Sequence, residues 1–306
     1  MPLPAAPINA PVTPPSQQAK NVKAIMLMAI GFFGFGLCDM QAKVLTAELP
    51  AFQVVWFRQL GLFIGVLTIL ALRGPGLLAS RKPFLQIGRG LTAAASAACF
   101  IFGVRHVPLA DATAVTFMAP FIVTILGALI LREAVGPRRW AAVAVGFLGM
   151  LLVIRPGLGV FSPAILFTVA AACMFSTRQI MSRWLSGADS VMTTVAYTSI
   201  TSSLVLSLTL PFVWVTPESL STWLIIAGLA ISAGLGEIFI IRALDIGEAV
   251  ALAPVHYTLI IWSTFYGFVI FGDLPDIWTA VGCAIIVGSG LYTVHRERIR
   301  KAEEAP

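Results

Sequence analysis

Apolar stretches of about 20 residues recur along nearly the whole chain, separated by short polar links. Each stretch is long enough to cross a bilayer core of about 30 Å as an α-helix. Helix-ending Pro and Gly residues lie between the stretches, as at Pro50, Pro108 and Gly136-Pro137. The pattern therefore predicts an all-α integral membrane protein with ten transmembrane helices, at residues 24–45, 52–72, 86–104, 109–131, 138–154, 162–184, 191–214, 220–242, 248–271 and 276–295.

Composition leaves little room for a soluble domain. Of the 306 residues, 58% are hydrophobic and 11% are charged, whereas an average soluble domain has about 25% charged residues. Residues 1–19 are rich in Pro and Ala without periodicity, and we expect them to form a disordered cytoplasmic tail. Residues 297–306 are expected to form a second cytoplasmic tail.

The basic residues in the links predict the orientation. With the N-terminus inside, fifteen Lys and Arg residues fall on the cytoplasmic face, Arg89 among them, and only Arg105 and Arg155 fall on the opposite face. Cytoplasmic links of membrane proteins carry such an excess of positive charge. The sequence thus predicts that both termini are cytoplasmic, and membrane orientation explains the net charge of +6 better than a nucleic-acid partner does.

The chain also repeats itself weakly. A shift of 140 residues places Phe35 on Phe175 and Lys43 on Arg183, and Trp140 meets Trp278 at a shift of 138. Each half, residues 20–158 and 159–296, then holds five helices, so the halves must enter the membrane in opposite directions. Inverted repeats of this kind are typical of transporters whose substrate site lies near the midplane.

Short motifs in both halves strengthen this interpretation. The second helix carries Trp56-Phe57-Arg58 near its start. The fourth and ninth helices carry related motifs, namely Pro108-Leu109-Ala110-Asp111-Ala112, Ala119-Pro120 and Leu131-Arg132-Glu133 in the first copy, and Gly247-Glu248-Ala249, Ala253-Pro254 and Phe271-Gly272-Asp273-Leu274-Pro275 in the second. Over about residues 20–295 the sequence resembles the drug/metabolite transporter superfamily, specifically its EamA-type ten-helix members.

The resemblance implies efflux or facilitated movement of small metabolites, often amino acids, across a bacterial inner membrane. Small four-helix relatives carry an essential Glu within their first helix. This sequence has Asp39 nearer the outer end instead, so it departs from that proton-coupled antiport pattern.

One face of the first helix and one face of the sixth are too polar to meet lipid. An ionisable side chain at the bilayer centre costs at least about 2.5–3.5 kcal/mol unless it is paired or hydrated. We therefore place both faces on a central cavity. They comprise Phe32, Phe35, Gly36, Asp39 and Lys43 in the first helix, and Ala172, Phe175, Ser176, Gln179 and Arg183 in the sixth. The alternative is that Asp39 and Lys43 form a purely structural i,i+4 pair.

The remaining ionisable residues predict two charged layers. Asp39, Lys43 and Arg58 lie near the outer ends of their helices, whereas Arg178 and Glu237 lie at equal depth near the inner ends. An apolar and aromatic zone separates the layers. They are candidates for an outer and an inner gate, with Arg178 and Glu237 as partners, or alternatively for static pairs that hold helices together.

The ninth helix adds candidate cavity residues. His256, Tyr257 and Trp262 are candidate substrate contacts, and His256 has the alternative of a hydrogen-bonded helix contact. Pro120 and Pro254 each remove one backbone hydrogen bond, so they are flex points or packing kinks. The many small residues in the spans are expected to permit close helix packing.

These observations predict alternating-access transport of small metabolites, with amino acids of apolar or aromatic type as the preferred substrate and export as the direction. The alternative is efflux of lipophilic cations, with Glu237 or Asp39 as a proton carrier. A membrane-embedded enzyme is disfavoured, because the three His residues are scattered and no cluster of metal ligands is evident. The expected partners are a small-molecule substrate and the bilayer, without nucleic acid or cofactor. The oligomeric state stays open, with a monomer as one option.

Overall fold

Helices make up every regular element of the part of the chain that the computed structural model describes, which is residues 17–132, 136–155, 162–185, 187–247 and 252–303. The predicted tail up to residue 16, Glu133 and Glu248 lie outside these ranges. Two short 3-10 helices are present at Pro75–Leu78 and Ala253–Tyr257. The α-helices are α1 Gln17–Leu45, α2 Ala51–Arg73, α3 Pro83–Val104, α4 Leu109–Thr116, α5 Ala119–Ile130, α6 Pro137–Ile154, α7 Ile165–Leu185, α8 Val191–Val213, α9 Leu220–Ile246, α10 Thr258–Phe271 and α11 Ile277–Glu303.

These helices confirm the predicted spans. Within the described ranges, nine helices are long and apolar enough to cross a membrane, with α4 and α5 counted as one span, and Trp140–Ile154 within α6 is a tenth, shorter apolar helix. Several boundaries differ from the prediction. The first helix begins at Gln17 rather than residue 24, α9 continues to Ile246 rather than residue 242, and α11 continues to Glu303 rather than residue 295, into the predicted second tail. Polar residues at these ends do not stop the helices, because backbone hydrogen bonding continues past the apolar stretch.

The two halves pack against each other as interchangeable units. The most extensive contacts are between α1 and α9 and between α3 and α7, and the pairs α2–α9 and α3–α8 also make extensive contacts. The counterparts in the two halves are α1 and α7, α2 and α8, and α3 and α9. When each helix is replaced by its counterpart, the pair α1–α9 becomes α3–α7, and the pair α2–α9 becomes α3–α8. Two further pairs, α2–α8 and α6–α11, join counterparts directly. The packing therefore has the two-repeat symmetry that the sequence shift predicts.

Small residues allow the closest of these crossings. A methyl group on Gly61 of α2 would collide with the backbone carbonyl of Ala230 in α9. A methyl group on Gly31 of α1 would come within 3.0 Å of the carbonyl oxygen of Gly236. Close backbone approach of this kind drives helix association in membranes. The expectation that small residues permit packing is confirmed here.

Pro120 and Pro254 each interrupt a span. Pro120 lies in the first turn of α5, just after the end of α4, and Pro254 lies in the 3-10 helix that precedes α10. A continuous α-helix breaks at these points because proline donates no backbone hydrogen bond and its ring clashes with the preceding turn. The buried hydroxyls of Thr113 and Ser263, 2.8 Å apart, join the two interrupted spans. Flexing at either proline stays a prediction.

Candidate substrate-binding site

An ion pair between α1 and α2 marks one side of the candidate site. Asp39 Oδ1 lies 3.4 Å from Arg58 Nη2, and only 5% and 18% of the respective side chains are exposed. Pairing offsets the cost of holding two charges within the bilayer. The alternative of an i,i+4 pair between Asp39 and Lys43 is wrong, because Asp39 faces the neighbouring helix instead.

Lys43 takes part in a separate set of contacts at the predicted outer surface. Its Nζ donates to the carbonyl oxygen of Val107 at 3.1 Å and lies 3.3 Å from Asp273 Oδ2. A second ion pair joins Arg155 to Asp276 nearby. Both pairs connect the first half of the chain to the link between α10 and α11. Lys43 therefore joins α1 to the link between α10 and α11 and does not pair with Asp39.

Each half of the chain has an arginine beside an aromatic ring. The Arg58 guanidinium lies 6.0 Å from the ring centre of Phe35, and the Arg178 guanidinium lies 4.7 Å from that of Phe175. Phe35 and Phe175 correspond under the 140-residue shift. A guanidinium over an aromatic face is attracted by the ring's negative charge distribution. Each half thus contributes a cation and a ring to the interior.

Glu237 of α9 connects these groups. Its carboxylate interacts electrostatically with Arg58, Arg89 and Arg178. Among the described residues, no ion pair within 4 Å joins Glu237 to Arg178, so the two predicted partners interact over a longer distance than a salt bridge. Arg58 also interacts with Arg178. Arg58 of the predicted outer layer therefore belongs to one electrostatic network with Arg178 and Glu237 of the predicted inner layer.

Arg89 is a candidate site residue, although the sequence predicts it to be a basic residue of a cytoplasmic link. It lies inside α3, where its Nε donates to Ser182 Oγ at 2.8 Å and its Nη1 to Thr198 Oγ1. The third apolar stretch begins only about three residues before Arg89. Position along the chain therefore does not distinguish an arginine in a link from one whose side chain packs inside the bundle. Its interaction with Glu237 places it in the network.

The aromatic candidates of the ninth span lie beside the first half. The rings of Phe32 and Phe117 pack edge-on against His256, with centroids at 4.6 and 5.6 Å. Tyr257 lies 5.2 Å from Phe117. Trp262 packs edge-on against the exposed ring of Phe33 at 4.9 Å. Contact of these residues with a substrate stays a prediction.

Gln179 is not brought into the same surroundings as its neighbours on α7. Its side chain is exposed. Ser176, almost one turn earlier, is buried and donates to the carbonyl oxygens of Ala172 and Ala119. The structure therefore gathers Phe175 and Arg178 with the charged network and leaves Gln179 outside it.

Known transporters resemble most of the chain. It is 28% identical over 260 residues to the S-adenosylmethionine uptake transporter of Rickettsia prowazekii, covering 85% of this chain and 88% of that one. It is 28% identical over 270 residues to the pseudopaline exporter of Pseudomonas aeruginosa, covering 86% and 93%. A riboflavin transporter of Brucella anthropi is 25% identical over 254 residues, covering 81% and 89%. All three relatives are named as transporters or exporters of small metabolites, and the similarity extends over most of each chain.

The fold is also shared with a protein of known structure. One crystal structure aligns with a TM-score of 0.61 over 90% of this chain and 98% of that chain, at 20% identity. The sequence model of the EamA-like transporter family matches this chain twice, at residues 22–155 and 162–294. These two matches cover most of the sequence and correspond to the two halves whose packing is interchangeable. The chain belongs to the EamA-like transporter family.

Proposed function

We propose that this protein exports small amino-acid-like metabolites across a bacterial inner membrane by alternating access, with both termini in the cytoplasm. One observation carries the choice of substrate. Arg58 and Arg178 come from opposite halves, each lies over a phenylalanine at an equivalent position, and Glu237 interacts with both. Charges of both signs beside aromatic rings match a solute with a zwitterionic end and an apolar side chain.

The relatives support a small metabolite as the substrate. They are named for S-adenosylmethionine uptake, pseudopaline export and riboflavin transport, so substrates and directions differ within the family. The preference for amino acids comes from the mixture of charges and rings in the candidate site. The export direction and the bacterial inner membrane come from the family resemblance.

Counterflow into proteoliposomes tests the substrate. Liposomes loaded with unlabelled phenylalanine or leucine should accumulate the labelled amino acid from outside. Phe35→Ala and Phe175→Ala should each raise the half-saturation concentration by about tenfold, a factor equal to 1.4 kcal/mol. Phe212→Ala is the matched control, because that ring is 88% exposed on α8 and should leave transport unchanged.

Two results would contradict the proposal. Exchange of riboflavin or a lipophilic cation, without exchange of any amino acid, would show that the substrate class is wrong. Energised membrane vesicles of opposite orientation separate export from uptake. Accumulation in right-side-out vesicles and none in inverted vesicles would reverse the proposed direction.

A further inference from the structure

The charges around Glu237 do not balance. In the part of the chain that the structure describes, the guanidinium groups of Arg58, Arg89 and Arg178 all interact with this carboxylate. Asp39 pairs with Arg58, which leaves Glu237 as the carboxylate shared by the other two arginines. Three positive groups thus face two negative ones. Uncompensated charge within a bilayer is costly, so the network favours an additional anion.

Arg178 has a donor to offer that anion. Its Nε is buried and has no hydrogen-bond partner among the described residues. One face of its guanidinium is covered by the Phe175 ring at 4.7 Å. A buried N–H without an acceptor carries its full desolvation cost. Arginine presents its N–H groups as a rigid planar fork that fits a carboxylate.

Arg89 of α3 is hydrogen-bonded to α7 one turn away from Arg178. Ser182 Oγ accepts from Arg89 Nε at 2.8 Å and donates to the backbone carbonyl oxygen of Arg178 at 2.8 Å. Thr198 of α8 fixes the other side of the Arg89 guanidinium. The two cations repel each other. A negative group that binds near both of them relieves the repulsion.

We propose that Arg178 binds the carboxylate of the transported metabolite through Nε–H and a neighbouring Nη–H, and that Arg89 is a positioning residue that adds positive charge behind it. The proposal rests on the proposed function and narrows its substrate class. A free carboxylate is required for binding. The amide of the same metabolite lacks the negative charge, and a lipophilic cation has the wrong sign, so the site rejects both.

Calorimetric titration of the purified protein with matched acids and amides tests this inference. The probes are phenylalanine and phenylalaninamide, together with phenylpropionate and phenylpropionamide, which lack the amino group. The unchanged protein should bind each acid at least about tenfold more tightly than its amide. This comparison does not depend on how any variant folds.

Variants of Arg178 and Arg89 test which residue causes the preference for the acid over its amide. Arg178→Gln should make the acid and amide affinities equal within about twofold, and Arg178→Lys should restore part of the preference because it keeps the charge without the fork. Arg89→Gln should reduce the preference, and Arg89→Lys should recover it. Arg73→Gln is the control, since this exposed arginine at the end of α2 should leave the preference intact.

The outcomes separate this inference from the proposed function. If phenylalanine and its amide bind equally, the amino-acid substrate stands and the carboxylate site at Arg178 is overturned. If phenylpropionate binds in an Arg178-dependent way and no amino acid binds, the carboxylate site stands and the amino-acid substrate is overturned. A full acid preference in Arg178→Gln places the carboxylate elsewhere and overturns the assignment.

Discussion

Asp39 and Arg58 form an ion pair of 3.4 Å between α1 and α2, although Lys43 lies one turn from Asp39 on the same helix. Lys43 instead reaches Asp273, 230 residues further along the chain. An i,i+4 pair of opposite charges stabilises a helix by only about 0.2–0.5 kcal/mol. Burial against a neighbouring helix is worth more than that, so helix packing decides which charges meet.

The Asp39–Arg58 pair should contribute strongly to stability. Asp39→Asn and Arg58→Gln should each lower the free energy of unfolding by about 3–5 kcal/mol, because each leaves the other charge buried and uncompensated. The double variant should lose less than the sum. Unfolding of the purified protein in detergent measures this coupling as a double-mutant cycle. The control cycle combines Asp39→Asn with Lys43→Gln, whose effects on the free energy of unfolding should be additive. Additive effects of Asp39→Asn and Arg58→Gln would contradict the pairing.

The Lys43–Asp273 pair should hold the predicted outer surface closed. Asp273 is 39% exposed, so its pairing is worth about 0.2–1 kcal/mol. Asp273→Asn should therefore raise external labelling of the buried Cys38 thiol by up to about fivefold. The rate of reaction with an impermeant thiol reagent measures this, with the other three cysteines replaced by Ser. Glu218→Gln, at an exposed acid of the predicted outer surface, should leave the rate unchanged. An unchanged rate in Asp273→Asn as well would show that this pair is no gate.

The prolines at the helix breaks should affect turnover more than binding. Pro120→Ala and Pro254→Ala supply the missing N–H and remove the clash, so each should favour a continuous helix over the broken one. We expect slower counterflow with an unchanged half-saturation concentration. Pro211→Ala is the control, because this proline lies in the last turn of α8 and does not interrupt that helix. Equal effects of all three substitutions would mean that Pro120 and Pro254 are packing kinks only.

Asp189, in the link between α7 and α8, contacts the link between α2 and α3, and this contact should depend on pH. Hydrogen bonds from Ser80 Oγ, the Arg81 backbone N–H and Gln86 Nε2 lower the pKa of this carboxyl. A lowered pKa in the folded state stabilises the fold above the ordinary value of about 3.9, and this contribution is lost as the pH falls through the lowered pKa. The melting temperature of the unchanged protein should therefore fall below that pH more steeply than that of Asp189→Asn. Asp245→Asn, at an exposed acid of α9, should behave like the unchanged protein, and an unaltered profile in Asp189→Asn would refute the role.

The proposed orientation can be tested with single cysteines. Cysteines in place of Arg81, Arg138 or Lys301 should be protected from an impermeant thiol reagent in intact cells, whereas one in place of Glu218 should react. The physical reason is the fifteen-to-two excess of basic residues on the face predicted to be cytoplasmic. Protection should disappear when the cells are permeabilised. The opposite pattern at two or more positions would reverse the orientation.

The sequence alone was sufficient to predict the helices, their number and the two-repeat architecture. These features depend on local composition and on a weak periodicity that a shift of 140 residues reveals, as at Phe35 and Phe175. Apolar length is read directly from the chain, because each span must satisfy its own backbone hydrogen bonds within the bilayer. The positions of Pro120 and Pro254 likewise predicted where spans are interrupted.

Only the tertiary structure decided which charged groups meet. Lys43 lies one turn from Asp39 along the first helix, yet the packing of α1 directs Asp39 to α2 and Lys43 to the link between α10 and α11. Arg89 lies near the start of an apolar stretch, and only the packing of α3 against α7 and α8 gives its side chain partners inside the bundle. Ion pairing between helices depends on where the helices cross, and many small contacts, such as those of Gly61 and Gly31, set these crossing points. The sequence around the charged residues does not indicate where the crossings lie.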